Sequence, residues 1–470
     1  MHSPSRSKVR VVDAALYFLP ATMRMPLKFG NQVLTNVTCA RATVRIEDEC
    51  GKQAIGWGET PLSVGWVWPS PIDYGIREQA LKQFAMDATI AFREFPVAGH
   101  PLEVGHAFIH QGLPRLQTDC EAKASPSRPA LPHLAALVSF SPLDIALHDA
   151  FGNLLNRPIY ELYGPDSLGT DLSAFLQPAK DSAVTFEGRF PSDYLTPRRE
   201  SLPVWHLVGG LDPVEAVDLK GDEPDDGYPV LLRDWIRRDG LNCLKVKLRG
   251  NDSAWDYQRL VQIGGIAQEE GVDWLTADFN CSVSNPDYVN EILDRLRDEA
   301  PRVYQMLLYV EQPFPYDLPN HQIDVHSVSA RKPLFMDESA HDWELIRLGR
   351  GLGWNGVALK TCKTQTGALL SLCWAKAHGM GLMVQDLTNP MLAQIPHVQL
   401  AAHAGTIMGV ESNGMQFYPE VSLPEQQIHP GLYQRRNGVL DLSTLTGSGF
   451  GYRLEEIQRE LPEPAVAFKG

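Results

Sequence analysis

The chain has 470 residues, a formal net charge of −15 at pH 7, 44% hydrophobic and 21% charged residues. That length exceeds what one core usually spans, so two domains are expected, one of them large. The negative balance argues against nucleic acid and anionic membranes as partners, since both repel an acidic protein, and leaves a small molecule as the default.

The first stretch, MHSPSRSKVRVVDAALYFLP, sets basic residues before an apolar run as a secretory leader does, but Asp13 interrupts the run and no small-residue cleavage site follows. Cys39, Cys50, Cys120, Cys243, Cys281, Cys362 and Cys373 are odd in number and lack zinc-site or redox-motif spacing. They read as reduced thiols, which makes a cytoplasmic location the expectation. No run approaches the roughly 18 apolar residues of a membrane span.

TNVTCARATVRIED alternates β-branched and polar residues, and CGKQAIGWGET follows across Gly51, which predicts a β-hairpin. From about Arg77 to Gly164 the periodicity is helical, most clearly where Leu143, Leu147, Ala150 and Leu154 recur at spacings of three and four. Between Pro165 and Asp234 the pattern is poor, with LPVWHLVGG its one strand-like run. Long irregular loops of this kind are usually functional or mobile.

After Leu241 short apolar runs alternate with amphipathic helical stretches. The runs are LNCLKVKL, VDWLTAD, MLLYVE, PLFMD, GVALK, GLMVQD and GTIMGVES, and PVWHLV before them makes eight. Eight such units predict an α/β fold, a (β/α)8 TIM-type barrel over residues 166–411. An α+β capping domain comes from residues 1–165, to which the segment 412–470 returns. No glycine-rich phosphate turn follows the first run, as a doubly wound sheet would want.

The third, fourth, fifth and sixth runs end in Asp278, Glu311, Asp337 and Lys360. Barrel active sites are built at those strand ends. Three carboxylates converging there repel one another, and a divalent cation with a taste for hard oxygen ligands, magnesium, resolves the conflict. In LKVKLRG, Lys245 and Lys247 share one face of the second strand. Enclosed together, they are expected to depress each other's pKa, making one a general base opposite Lys360. A lysine base with magnesium suits removal of a proton α to a carboxylate, a reaction that passes through an enediolate.

At this point the sequence resembles the enolase superfamily, in particular its muconate-lactonising-enzyme-like subgroup, grouped with the mandelate racemases. LKVKLRG is similar to the subgroup's Lys-x-Lys motif, TADFN, VEQPF and MDES to its metal-ligand motifs, and GVALKTCKTQTG to its sixth-strand lysine segment. SPLDIALHDAFGNLLNRPIYELYG resembles the end of the capping domain, and MRMPLKFG its mobile substrate-covering loop. The resemblance implies Asp278, Glu311 and Asp337 as ligands of one Mg2+, with Mn2+ as a substitute. It implies Lys247 as an acid/base, Lys245 as its tuning neighbour and Lys360 as the opposing acid/base. It also implies racemisation or epimerisation, cycloisomerisation or dehydration of a small-molecule carboxylate. A homo-oligomer is expected.

Two departures stand out. The family's paired glycines after the sixth-strand lysine are here Thr366 and Gly367, and the Asp-x-Asp that dipeptide epimerases place after the eighth strand is here GVESNGMQF, with a lone Glu411. Glu411, Asn280, Gln385, Asp386, Arg24 and Trp66 are the candidate substrate contacts. Lys363 is expected to face solvent or a carboxylate, and His206 the core. Two other readings stay open. One is a Schiff-base lyase or aldolase using one of the lysines as nucleophile, and the other a non-catalytic binding protein on the same scaffold.

Overall fold

Three long strands begin the chain: β1 (Val9–Phe29), β2 (Gln32–Asp48) and β3 (Gln53–Pro61), joined with the short β4 (Ala98–Gly99) in an antiparallel sheet of order β3-β2-β1-β4. The structure is a computed structural model describing residues 8–29, 32–127 and 129–469. The expected hairpin is the β2–β3 pair, with Glu47 opposite Gln53. MRMPLKFG is not the loop expected from sequence: up to Phe29 it continues β1 past an irregularity between Thr22 and Leu27, and Gly30 lies outside the described residues. Leu27 and Lys28 pair with Leu34 and Val33, and Leu27 is buried, so side-chain alternation holds this stretch as strand.

The helix His133–Leu155 packs on this sheet with Leu143, Leu147, Ala150 and Leu154 all buried. Glycines in β3 allow the approach. A Cβ at Gly56 would stand 2.1 Å from Ala150 N, and one at Gly58 2.2 Å from Pro142 O. Contrary to the sequence expectation, this helix is long and apolar enough to cross a membrane, and it is the only such helix among the described residues; in this fold it is wholly buried. Its apolar content serves a protein core.

The remaining strands are β5 (Ser201–Val208), β6 (Cys243–Lys247), β7 (Trp274–Asp278), β8 (Leu307–Glu311), β9 (Leu334–Met336), β10 (Gly356–Leu359), β11 (Gly381–Val384), β12 (Val410–Glu411) and β13 (Val439–Asp441). β5 to β12 run parallel in the order β11-β10-β9-β8-β7-β6-β5-β12, and the seam is bridged by Ile407 N donating to Leu382 O at 2.9 Å. These are the eight apolar runs of the sequence. β13 pairs antiparallel with β5, and the tail returns to the cap, where Leu16 N donates to Val466 O at 2.9 Å. The irregular stretch 209–231 lies between β5 and the helix Leu232–Asp239.

Candidate active site

On β6, Lys245 and Lys247 alternate with Leu244 and Val246, and the whole strand is buried. Parallel register sets Lys247 beside Asp278, and Asp278 beside Glu311. Asp337 follows β9, Lys360 follows β10, Gln385 and Asp386 follow β11, and Glu411 ends β12. Non-glycine residues in the left-handed region mark the loops here: Asn280 (φ 46°), Gln312 (φ 32°), Thr364 (φ 75°) and Thr388 (φ 58°). Such conformations cost roughly 1–3 kcal/mol each and cluster at sites the surrounding structure over-determines.

The Lys245 ammonium is ringed by carboxylates, 2.7 Å from Glu311 Oε1, 2.9 Å from Glu411 Oε2 and 3.0 Å from Asp278 Oδ2. Lys247 donates to Asp278 Oδ2. Across the mouth, Lys360 Nζ lies 3.1 Å from Asp337 Oδ2, donates to Asp386 O at 3.1 Å, and stands 4.9 Å from the centre of the Trp66 ring. Lys363 is buried and faces a carboxylate, not solvent, with Nζ 3.5 Å from Asp337 Oδ1. A small enclosed space of about 20 Å³ lies among Lys245, Lys247, Asp337, Lys360 and Trp66.

The expectation that paired lysines depress each other's pKa fails for Lys245. Burial does push it down, but Asp278, Glu311 and Glu411 outweigh burial and hold the ammonium well above its ordinary value. Lys360 is likewise raised: burial lowers it, and Asp337 more than compensates. The carboxylates respond in kind. Burial raises Asp278 while Lys245 and Lys247 bring it below the usual range, whereas burial and the neighbouring Asp278 push Glu311 well up.

Among the described residues no three acidic, histidine or cysteine side chains form a ready coordination shell, because the Lys245 ammonium stands between the carboxylates. The donor set nevertheless fits a hard divalent cation. Asp278, Glu311 and Asp337 stand at three consecutive strand ends with oxygen donors, and Asp337 Oδ1 is buried with no hydrogen bond, the Lys363 ammonium 3.5 Å away being its ion-pair partner.

Of the other candidates, Trp66 lies against Lys360, and Asn280 has its backbone N donating to Asp278 Oδ1 at 2.9 Å. Gln385 donates to Glu311 Oε2 at 2.6 Å, and Asp386 accepts from Asn413 N at 2.7 Å. Glu411 is spent on Lys245 and on Asn413 Nδ2 at 2.8 Å. Arg24 is not brought to the constellation: its guanidinium pairs with Asp226, Nε to Oδ2 at 2.6 Å and Nη2 to Oδ1 at 2.8 Å. His206 is a buried core residue as expected.

Sequence reasoning missed Gln312 and Glu338 and gave Thr366 no role. Gln312 Oε1 accepts from Asp337 N at 2.8 Å and from Ser339 N at 3.2 Å, fixing the loop that carries Asp337. Glu338 is buried beside Asp337 with Oε2 unpartnered; the doubled acid in MDES was its signal. Thr366, where the family has glycine, joins barrel to cap. Its N and Oγ1 each donate to Asp144 at 2.8 Å, His148 Nε2 lies 3.0 Å from the same hydroxyl, and Tyr163 OH lies 2.9 Å from His148 Nδ1. Burial holds His148 neutral. One polarity satisfies the chain, Tyr163 donating to His148, His148 to Thr366 and Thr366 to Asp144.

A parallel eight-stranded barrel with an acid–lysine mouth and a separate α+β cap defines the class of capped barrel proteins. Residues 229–457 match the family model described as enolase C-terminal domain-like. That match spans just under half of the chain, so it is this C-terminal part that is similar to the enolase superfamily. It is 26% identical over 262 residues to an aromatic dipeptide epimerase of Herpetosiphon aurantiacus, covering 55% of this chain and 68% of that protein. The N-succinyl Arg/Lys racemase of Bacillus cereus superposes with a TM-score of 0.62 at 16% identity, over 97% of this chain and 100% of that one. A dipeptide epimerase of Enterococcus faecalis, solved with Mg and the dipeptide L-Leu-L-Tyr, gives 0.61 at 16% identity, over 94% and 99%.

Proposed function

We propose that the protein racemises or epimerises a small carboxylate at its α-carbon, exchanging the proton between Lys247 and Lys360. The observation that carries this reading is that these two lysines stand at the ends of different strands around one enclosed space, each beside a different carboxylate, Asp278 and Asp337. A divalent cation, magnesium by preference, held by Asp278, Glu311 and Asp337 would neutralise their charge and stabilise the negative charge that develops on the substrate carboxylate.

The chain's own residues account for the remaining steps. The Lys247 amine removes the α-proton, the C–H electron pair passing into the enediolate. Lys360, held protonated by Asp337, returns a proton to the opposite face. The reverse direction exchanges the two roles, so no atom is gained or lost. Lys245, locked among three carboxylates, stays cationic, which disfavours it as a Schiff-base nucleophile. Trp66 covers the mouth and limits water. The names of the relatives favour dipeptides or N-acyl amino acids as substrates.

The test is exchange of α-hydrogen for deuterium, read by NMR and mass spectrometry, on a pool of dipeptides, N-acyl amino acids, acid sugars and muconate-like diacids with magnesium in deuterated water. Magnesium-dependent exchange that Lys247→Ala loses for one of the two stereoisomers is expected. A product reducible by borohydride onto a lysine, with no exchange, would overturn the reading in favour of a Schiff base.

A further inference from the structure

Glu411 is a buried acid at the barrel mouth that the two-lysine proton transfer does not use. It ends β12 and stands outside the set of Asp278, Glu311 and Asp337 that would hold the cation. The residue is 4% exposed, and a carboxylate enclosed to that degree is costly unless it is paired. Both of its oxygens are engaged. Oε2 accepts from Lys245 Nζ at 2.9 Å, and Oε1 accepts from Asn413 Nδ2 at 2.8 Å. Its carbonyl oxygen accepts from His397 Nε2 at 2.6 Å, and Asn413 N in turn donates to Asp386 Oδ2 at 2.7 Å. The carboxylate is therefore fixed, with one oxygen aimed at Lys245.

An ammonium carries three N–H donors, and that of Lys245 has three carboxylates within 3.0 Å: Glu311 Oε1 at 2.7 Å, Glu411 Oε2 at 2.9 Å and Asp278 Oδ2 at 3.0 Å. Two of these belong to the cation's own ligand set. Lys245 and a divalent cation must therefore share Asp278 and Glu311, and positive charges so close in an enclosed site repel strongly. Lys245 is 3% exposed and cannot turn to water instead. Glu411 is the member of the trio on which the cation makes no claim. It supplies a counter-charge that stays with Lys245 while Asp278 and Glu311 give theirs to the ion.

We propose that Glu411 is a positioning residue for the cation site: by holding the Lys245 ammonium it releases Asp278 and Glu311 to bind the ion, and so sets the affinity of the site. It acts through Lys245 and not as a fourth ligand. The proposal rests on the reading that Asp278, Glu311 and Asp337 hold a divalent cation, and it is independent of which proton the lysines move.

Titration of the whole protein with manganese(II), followed by loss of the free ion's EPR signal, reads the affinity without any turnover. Glu411→Gln should weaken binding by about 10–100-fold, the usual range when a residue behind a metal ligand is removed, and Glu411→Asp, which keeps the charge, should recover part of it. Lys245→Met should tighten binding, because the competing ammonium is gone. In that background Glu411→Gln should change the affinity by less than about threefold, since the two residues act as one unit. A weakening of tenfold or more that persists in Lys245→Met means that Glu411 acts on the ion directly or on the fold at large, and overturns the proposal. Parent-like affinity in Glu411→Gln overturns it too. Near-UV circular dichroism checks each variant's fold; should Glu411→Gln not fold, binding by Lys245→Met no tighter than by the parent overturns the proposal by itself. A parent protein that takes up no manganese overturns the cation site and the proposal together, whereas tight parent binding with an indifferent Glu411 overturns the proposal alone.

Discussion

Thr366→Val isolates the contact between cap and barrel. Valine keeps the shape and the backbone bond to Asp144 but removes the hydroxyl that donates to Asp144 at 2.8 Å and meets His148 Nε2 at 3.0 Å. All three residues are fully buried, so water cannot replace the lost partners. A hydrogen bond to a charged acceptor contributes about 1.5–3 kcal/mol, and a buried donor left unsatisfied costs about 1–3 kcal/mol. Together they predict a loss of about 2.5–6 kcal/mol in urea denaturation, with Thr366→Ser, which keeps the hydroxyl, within about 1.5 kcal/mol of the parent. The helix Gln365–Ala377 begins two residues after Lys363, so turnover should fall in the valine variant as well. A stability loss below 1 kcal/mol would refute the polarised chain and reduce Thr366 to a filler of space.

Gly58→Ala should destabilise the cap by at least about 1–3 kcal/mol, because its Cβ would meet Pro142 O at 2.2 Å and Ala146 N at 2.7 Å; parent-like melting would show that the helix can yield there. Arg41→Met removes the buried guanidinium between Glu59 and Glu425 and should cost about 3–5 kcal/mol by stranding the Glu59 carboxylate, Glu425 keeping Arg459, a loss that denaturation would read directly. Burial lowers His100 to about 3, so the unfolded chain takes up a proton below pH 6.5 that the folded chain refuses. That contribution is complete above pH 6.5 and is lost as the pH falls towards 3. His100→Gln should therefore flatten the stability change between pH 6 and pH 5 by about 1 kcal/mol, and an unchanged slope would contradict a neutral buried His100.

The barrel and its mouth were legible because ionisable residues closing apolar runs, such as Asp278, Glu311 and Lys360, are costly to bury without a purpose. Alternation alone put Lys245 and Lys247 on one face. What was hidden depended on contacts distant in the chain. The charge state of Lys245 is set by Asp278, Glu311 and Glu411 together, the last 166 residues away, and Arg24 is claimed by Asp226, 202 residues away. No local pattern reports such pairings. The Thr366 network was visible only as a departure from glycine, since its partners Asp144 and His148 sit on a cap helix.

The central claim is that Lys247 and Lys360 act on opposite faces of one carbon. It is tested most directly by following α-hydrogen exchange in deuterated water separately for the two stereoisomers of a substrate, in Lys247→Ala and in Lys360→Ala. Each variant should abolish interconversion yet keep exchange for a single stereoisomer, and the two variants should keep opposite ones. Exchange of both stereoisomers in either variant would contradict the two-lysine account.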